Sequence, residues 1–366
     1  MLDRLLEDDG IEIAAISGTS AGALNGAALK AGLACAEGAE GRRAAKENLA
    51  YVWARVGEVS DNPFLRWLHA MMPVPRPMQR LTDLFSPVAW LEGVTRLVSP
   101  YDLGPFYTNP LAAIIREMPH PDLKRDGGPQ LFMTATNVRT GRIRVFGDHE
   151  ITPETIMASA CLPTVFKAVE IEDPKTGQME AYWDGGYSGN PALFPLYDQK
   201  LPRDIVVVNI NPMRREALPI SPTEIQDRIN EISFNASLLG ELRAIMFVKR
   251  LSEEGRLVGR PMKNVLTHKI NDDQLMNDMR ASTKMIPGPG MLARLRTAGA
   301  QRPMVSSRAI STISAIATVG ISQKLSRDFK WKAAGSDVIR PPFPPFCLTG
   351  LRRHAPLQSR RQGARC

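Results

Sequence analysis

Four cysteines, Cys35, Cys161, Cys347 and Cys366, are scattered along 366 residues without the close spacing of a zinc site or a disulfide framework. Cys35 and Cys161 are expected to pack as small apolar residues, and a reducing compartment is assumed. Long apolar runs are lacking too. The longest, Ala309 to Ile321, is broken by Ser, Thr and Gly and falls short of the about 18 residues a membrane helix needs. The first residues are acidic (Asp3, Glu7, Asp8, Asp9), unlike the basic start of a secretory leader. No Gly-Lys-Ser/Thr occurs, which excludes a phosphate loop of the nucleotide-binding type. Aromatics are sparse at 6%. The five histidines, His69, His120, His149, His268 and His354, stand in no recognisable motif.

Net charge is nearly absent from most of the chain. From residue 301 onward there are 12 Lys and Arg against 2 Asp and Glu; before it, 34 against 36. The whole +8 therefore comes from the end, which also carries Pro341-Pro342, Pro344-Pro345 and Arg352-Arg353-His354. Two readings stand: a basic arm making peripheral contact with an anionic membrane, or a disordered tail with no partner. The second is favoured, and no nucleic-acid partner is expected.

What is present is concentrated in residues 11–34, IEIAAISGTSAGALNGAALKAGLA. A β-branched run from Ile11 to Ile16 leads into Gly18-Thr19-Ser20-Ala21-Gly22, and an Ala/Leu-rich helical segment follows. Strand, tight turn carrying a serine, helix is the context of a nucleophile elbow. Glycines at 18 and 22 let strand and helix pass closely. The helix start behind Ser20 offers unpaired N–H groups and positive dipole to a developing oxyanion, with Ala21 N–H as the expected donor. A serine nucleophile needs a base, and the best candidate is Asp184. It ends the aromatic stretch Ala181-Tyr182-Trp183 and is followed by Gly185-Gly186, which let the backbone turn sharply.

The elbow, the segment Ala158-Ser159-Ala160-Cys161-Leu162-Pro163, and Asp184-Gly185-Gly186 followed by Asn190-Pro191 occur in that order. Together they resemble the patatin-like phospholipase family. Ser99-Pro100-Tyr101-Asp102-Leu103 and Ala135-Thr136-Asn137-Val138-Arg139-Thr140-Gly141 are similar to its bacterial members, which implies a cytoplasmic bacterial protein, peripheral at a membrane only on the basic-arm reading of the tail. The resemblance runs from residue 1 to about residue 295. It implies a three-layer α/β/α fold around a mostly parallel sheet and a Ser20/Asp184 dyad, with Gly18, Ala21, Gly22, Gly185 and Gly186 as the surrounding motif. It also implies hydrolysis of a lipid acyl ester through an acyl-enzyme, with no cofactor and no metal. The alternative is a non-catalytic lipid-binding or regulatory relative. A subtilisin-type protease, suggested by Gly18-Thr19-Ser20-Ala21, is excluded because no Asp-Thr-Gly or His-Gly-Thr precedes the serine.

One part of the family pattern is not found. Patatin-like proteins open with a strand and a Gly-Gly-Gly-x-x-Gly loop that supplies oxyanion-hole amides, but only 19 residues precede Ser20 and Gly10 is the sole glycine before Gly18. The first strand and its loop are expected to be lacking, through a start placed at an internal codon rather than a true truncation, and turnover of this chain is expected to be impaired.

The residue pattern predicts strands at 11–16, 130–136, 142–147, 166–171, 180–183 and 204–210, and helices at 2–8, 21–34, 43–55, 109–117, 153–158 and 222–251. The alternation argues for an α/β fold. The organisation expected is a catalytic domain over 1–215, with a cap-like insert at 58–100 rich in Trp67, Met71 and similar apolar residues. A helical extension at 216–300 and the basic tail at 301–366 follow. In the long helix Ile225, Ile229, Ile232, Phe234, Leu238, Leu239, Leu242 and Ile245 recur at helical spacing and are expected to be core.

Overall fold

The computed structural model describes residues 1–60, 99–102, 109–123, 126–163, 166–257, 259, 262–271, 289–301 and 315–317. Its elements in chain order are α1 (Leu2–Leu5), β1 (Ala15–Gly18), α2 (Ala21–Cys35), α3 (Gly38–Ser60), α4 (Pro110–Arg116), β2 (Gln130–Asn137), β3 (Ile143–Phe146), α5 (Pro153–Ser159), β4 (Val169–Asp173), β5 (Gln178–Asp184), β6 (Asp204–Asn209), α6 (Pro222–Glu253), β7 (Leu266–Asn271), α7 (Pro289–Gln301) and β8 (Ala315–Ala317). The chain divides into a unit Met1–Leu325, which holds every described residue, and a second unit, Ser326–Cys366. Most of the insert, with His69, Trp67 and Met71, lies outside the described residues, as do Cys347, His354 and Cys366.

One sheet organises the molecule, in the order β4-β5-β2-β1-β8-β6-β7, with β3 also paired to β2. The centre is parallel: β1 with β2 and β8, β6 with β8 and β7. The side that carries Asp184 is antiparallel, β5 lying between β2 and β4.

Side chains alternate across this sheet, and the alternation decides what each face binds. On one face Ile16 of β1 and Leu131, Met133 and Ala135 of β2 join Ala23, Ala27 and Ala28 of α2, Leu49 of α3 and Ile156 of α5 in the largest core cluster. On the other face Ala15 joins Ile205, Val207, Leu193, Leu196 and Leu238 of α6. Helix, sheet and helix form the three layers that the resemblance implied. The small residues of α2 are what let it lie flat between sheet and α3, since nearly its whole circumference is buried.

Three expectations change. β1 starts at Ala15, not at residue 11, so Ile11 packs below the sheet with Leu5, Val206 and Val208. The segment expected to be a helical extension also supplies a strand, β7, on the edge beside β6. Ala315–Ala317, inside the stretch expected to be a disordered tail, pairs between β1 and β6, so the central sheet is continuous among the described residues.

The long helix differs as well. Ile225, Ile229 and Ile232 are 43%, 53% and 55% exposed, so they are not core. Only the face with Leu238, Leu242 and Ile245 packs on the sheet, while Phe234 lies edge-on to Tyr187. Helical spacing reveals a stripe but not which stripe is covered when apolar residues occupy two sides of one helix. No helix among the described residues is long and apolar enough to cross a membrane.

Candidate active site

β1 ends at Gly18 and α2 begins at Ala21, so Thr19 and Ser20 must make the whole turn. Ser20 takes φ 57° and ψ −123°, and no other non-glycine among the described residues has positive φ. Such a conformation costs about 1–3 kcal/mol and persists only where neighbours enforce it. The enforcement is visible. The N–H groups of Gly22 and Ala23 donate to the carbonyls of Thr19 and Ser20 at 2.8 and 2.9 Å. A methyl group on Gly18 would overlap the Gly22 carbonyl, so only glycine lets strand and helix close to this distance. Ala21 N–H, at the first helical position, has no intrahelical acceptor and faces outward with the helix dipole.

Asp184 reaches the same place along the same edge of β2, from the opposite direction. β1 runs parallel to β2 with Gly18 opposite Met133, and β5 runs antiparallel with Asp184 opposite Ala135. Met133 and Ala135 both have β3 on their other edge, so β1 and β5 meet end to end along one edge of β2, which brings the elbow and the carboxylate together. Asp184 is fully buried. Its Oδ1 accepts the Gly186 N–H at 2.7 Å. Oδ2 is buried without a hydrogen-bond partner of full geometry. The partly exposed Ser20 side chain acts on this carboxyl in the direction that lowers its pKa. Burial pushes the Asp184 pKa up to about 6, against the opposing hydrogen bonding from Ser20 and Gly186. The carboxyl is thus mostly ionised at neutral pH and a stronger base than an exposed aspartate. Gly185 cannot carry a side chain, because a methyl would enter the Thr134 carbonyl of β2.

Ser20, Asp184, Gly18, Ala21, Gly22, Gly185 and Gly186 all gather at this end of the sheet. Among the described residues no histidine hydrogen-bonds either member of the pair. His120 meets Glu47 at 3.1 Å, His268 meets Asp204 at 2.8 Å, and His149 lies in the turn Asp148–Glu150.

A set of hydroxyls escaped the sequence reading. Ser17, Thr134 and Thr136 point away from α2 toward the loop after Asp184, and Thr19 joins them from the turn. Ser17 Oγ donates to Ala192 C=O at 2.6 Å. Thr19 Oγ1 and Thr134 Oγ1 hydrogen-bond each other, and both lie 2.8 Å from Gly189 C=O. Thr136 Oγ1 donates to Asp184 C=O at 2.8 Å and meets Ser188 Oγ. All four residues are buried. The available signal was a period-two pattern of hydroxyls, 17/19 and 134/136, inside otherwise apolar segments.

Fold and site together define an α/β protein with a serine elbow and a buried carboxylate beside it. The patatin-like phospholipase family model matches residues 1–197, a span that includes both Ser20 and Asp184, and the chain belongs to that family. It is accordingly placed among proteins that act on lipid acyl esters. No match was found among curated proteins.

Proposed function

We propose that this chain hydrolyses lipid acyl esters by a Ser20/Asp184 dyad. The observation that carries the reading is the buried Asp184 carboxylate, with Oδ2 otherwise unpartnered and the Ser20 hydroxyl acting on it. Ser20 Oγ attacks the ester carbonyl carbon while its proton passes to Asp184 Oδ2. The oxyanion is met by the Ala21 N–H and the positive end of α2. The tetrahedral intermediate collapses, the C–O bond to the alcohol breaks, and Asp184 returns the proton to the leaving oxygen. Water then attacks the acyl-enzyme, giving its proton to Asp184 on the way in; the C–Oγ bond breaks, Asp184 passes that proton to Ser20 Oγ, and the fatty acid leaves.

A carboxylate can replace histidine here because burial has moved its pKa toward the working pH. Asp184 faces Ser20 from a strand, not a loop, so the reach of the base is set by the sheet register. The lipid substrate class follows from the family. The test is a fluorophosphonate probe with a p-nitrophenyl ester assay. Ser20→Ala is expected to abolish labelling, and Asp184→Asn to lower turnover by at least the about 100-fold that general-base catalysis supplies. Wild-type protein that is neither labelled nor active would favour the lipid-binding alternative.

A further inference from the structure

The segment Ser159 to Cys161 touches both members of the dyad, and neither contact is required by its own helix. Ser159 is the last residue of α5 and is completely buried. Its Oγ accepts the backbone N–H of Ser20 at 3.1 Å. Two residues later, the carbonyl of Cys161 accepts the backbone N–H of Asp184 at 2.8 Å. One short piece of chain therefore holds the nucleophile's amide with a side chain and the base's amide with a carbonyl.

We infer that Ser159 is a positioning residue for the dyad: with Cys161 it fixes the separation between the Ser20 and Asp184 backbones. This rests on the dyad reading above. Ser159 and Cys161 are joined through the single residue Ala160, so the spacer between the two contacts is short, and the helix behind it is rigid. Ile156 and Ala158 are fully buried against the sheet. The Ser20 amide needs this partner more than most. At φ 57° the turn is under strain, and an N–H left unpaired there would add a further desolvation cost. The elbow would relieve both by rotating, and the Ser20 hydroxyl would swing away from Asp184. Ser20 N–H is also occupied by Ser159 and so does not serve as an oxyanion donor, which leaves that task to Ala21 N–H.

The experiment measures fluorophosphonate labelling rate, ester kcat and KM, and thermal stability for wild type, Ser159→Ala, Ser159→Thr and Thr155→Val. Thr155 is buried in the same helix and does not hydrogen-bond Ser20 or Asp184, so its variant reports stability loss alone. Ser159→Ala is expected to lower labelling rate and kcat on the order of 100-fold with KM unchanged. The Ser159→Thr variant, which keeps the acceptor oxygen, should recover most of the rate. Thr155→Val is expected to lower the melting temperature with labelling near the wild-type rate. Labelled wild type with an equally reactive Ser159→Ala would overturn the positioning role and leave the dyad standing. So would losses in Ser159→Ala and Thr155→Val that track their melting temperatures alike. Wild type that no probe labels would sink the dyad reading, and this inference with it.

Discussion

At Asp184 burial and the proposed role as base are linked through one pKa. Its pKa is raised from 3.8 to about 6, so on the proposed mechanism proton acceptance from Ser20 requires deprotonation through that value. The kcat/KM for a soluble ester is expected to rise with pH to a plateau, with an acid-limb midpoint near 6, because only the ionised form can act as base. A midpoint near 4 would argue that Asp184 is solvated in the working enzyme. The same shift has a stability consequence of opposite sense. The folded state binds the Asp184 proton more tightly than the unfolded chain, so its contribution to stability falls as pH rises from about 4 to 6. Above that window the penalty is about 3 kcal/mol. Asp184→Asn removes the charge, and is expected to unfold at higher urea than wild type at pH 8 and at the same urea below pH 4. Nothing in the residues around Asp184 announces this: Asp-Gly-Gly reads as a turn, and burial is a property of the packed sheet.

The antiparallel arm of the sheet, β3 to β5, is held by charge as well as by hydrogen-bonded strands. Arg144 on β3 is buried and forks onto Asp173 with Nε and Nη2 at 2.8 and 2.9 Å, and onto Glu150 at 2.7 Å. Asp173 also accepts the Tyr182 hydroxyl, and Arg144 lies over the Phe146 ring. Hydrogen bonding from Arg144 holds the Asp173 carboxyl well below the usual carboxylate range. Burial alone would lower the Arg144 pKa, but its carboxylate partners more than offset that. A depressed carboxylate pKa stabilises at all pH above its unfolded value, and that stability is lost only as acid protonates the folded form. Removing one partner leaves a buried charge, so Arg144→Leu is expected to cost about 3–5 kcal/mol in urea unfolding at pH 7. Adding Asp173→Leu to it should recover a substantial part of that loss. If the two losses simply add, the pair does not act as a unit. β5 ends in Asp184, so this network also holds the strand that carries that carboxylate.

At the scale of the molecule, the described strands and layers and every candidate site residue fall within Met1–Leu325. A chain ending at Leu325 is therefore expected to keep its ester turnover near the full-length value. The basic excess lies mainly beyond that point: 9 of the 12 Lys and Arg after residue 300 fall in 326–366. If the arm contacts anionic lipid, the shortened chain should sediment less with phosphatidylserine vesicles at low salt, and full-length binding should weaken as salt screens the charge. Equal sedimentation of both forms would place the contact elsewhere.

The serine elbow, the Asp184 turn and the α/β class were all legible in the chain itself. They depend on local rules: apolar periodicity, glycine where a backbone must pass closely, and a strand-to-helix junction around Ser20. What folding alone decided is non-local. Pairing of β1 and β5 along one edge of β2 brought Ser20 to Asp184, and packing took water away from the carboxylate and raised its pKa. Burial also set the hydroxyls of Thr19, Thr134 and Thr136 around the loop beyond it, and left Ile225, Ile229 and Ile232 uncovered on a helix whose spacing reads as core. Register and burial belong to pairs of distant segments, and no window of one segment contains them.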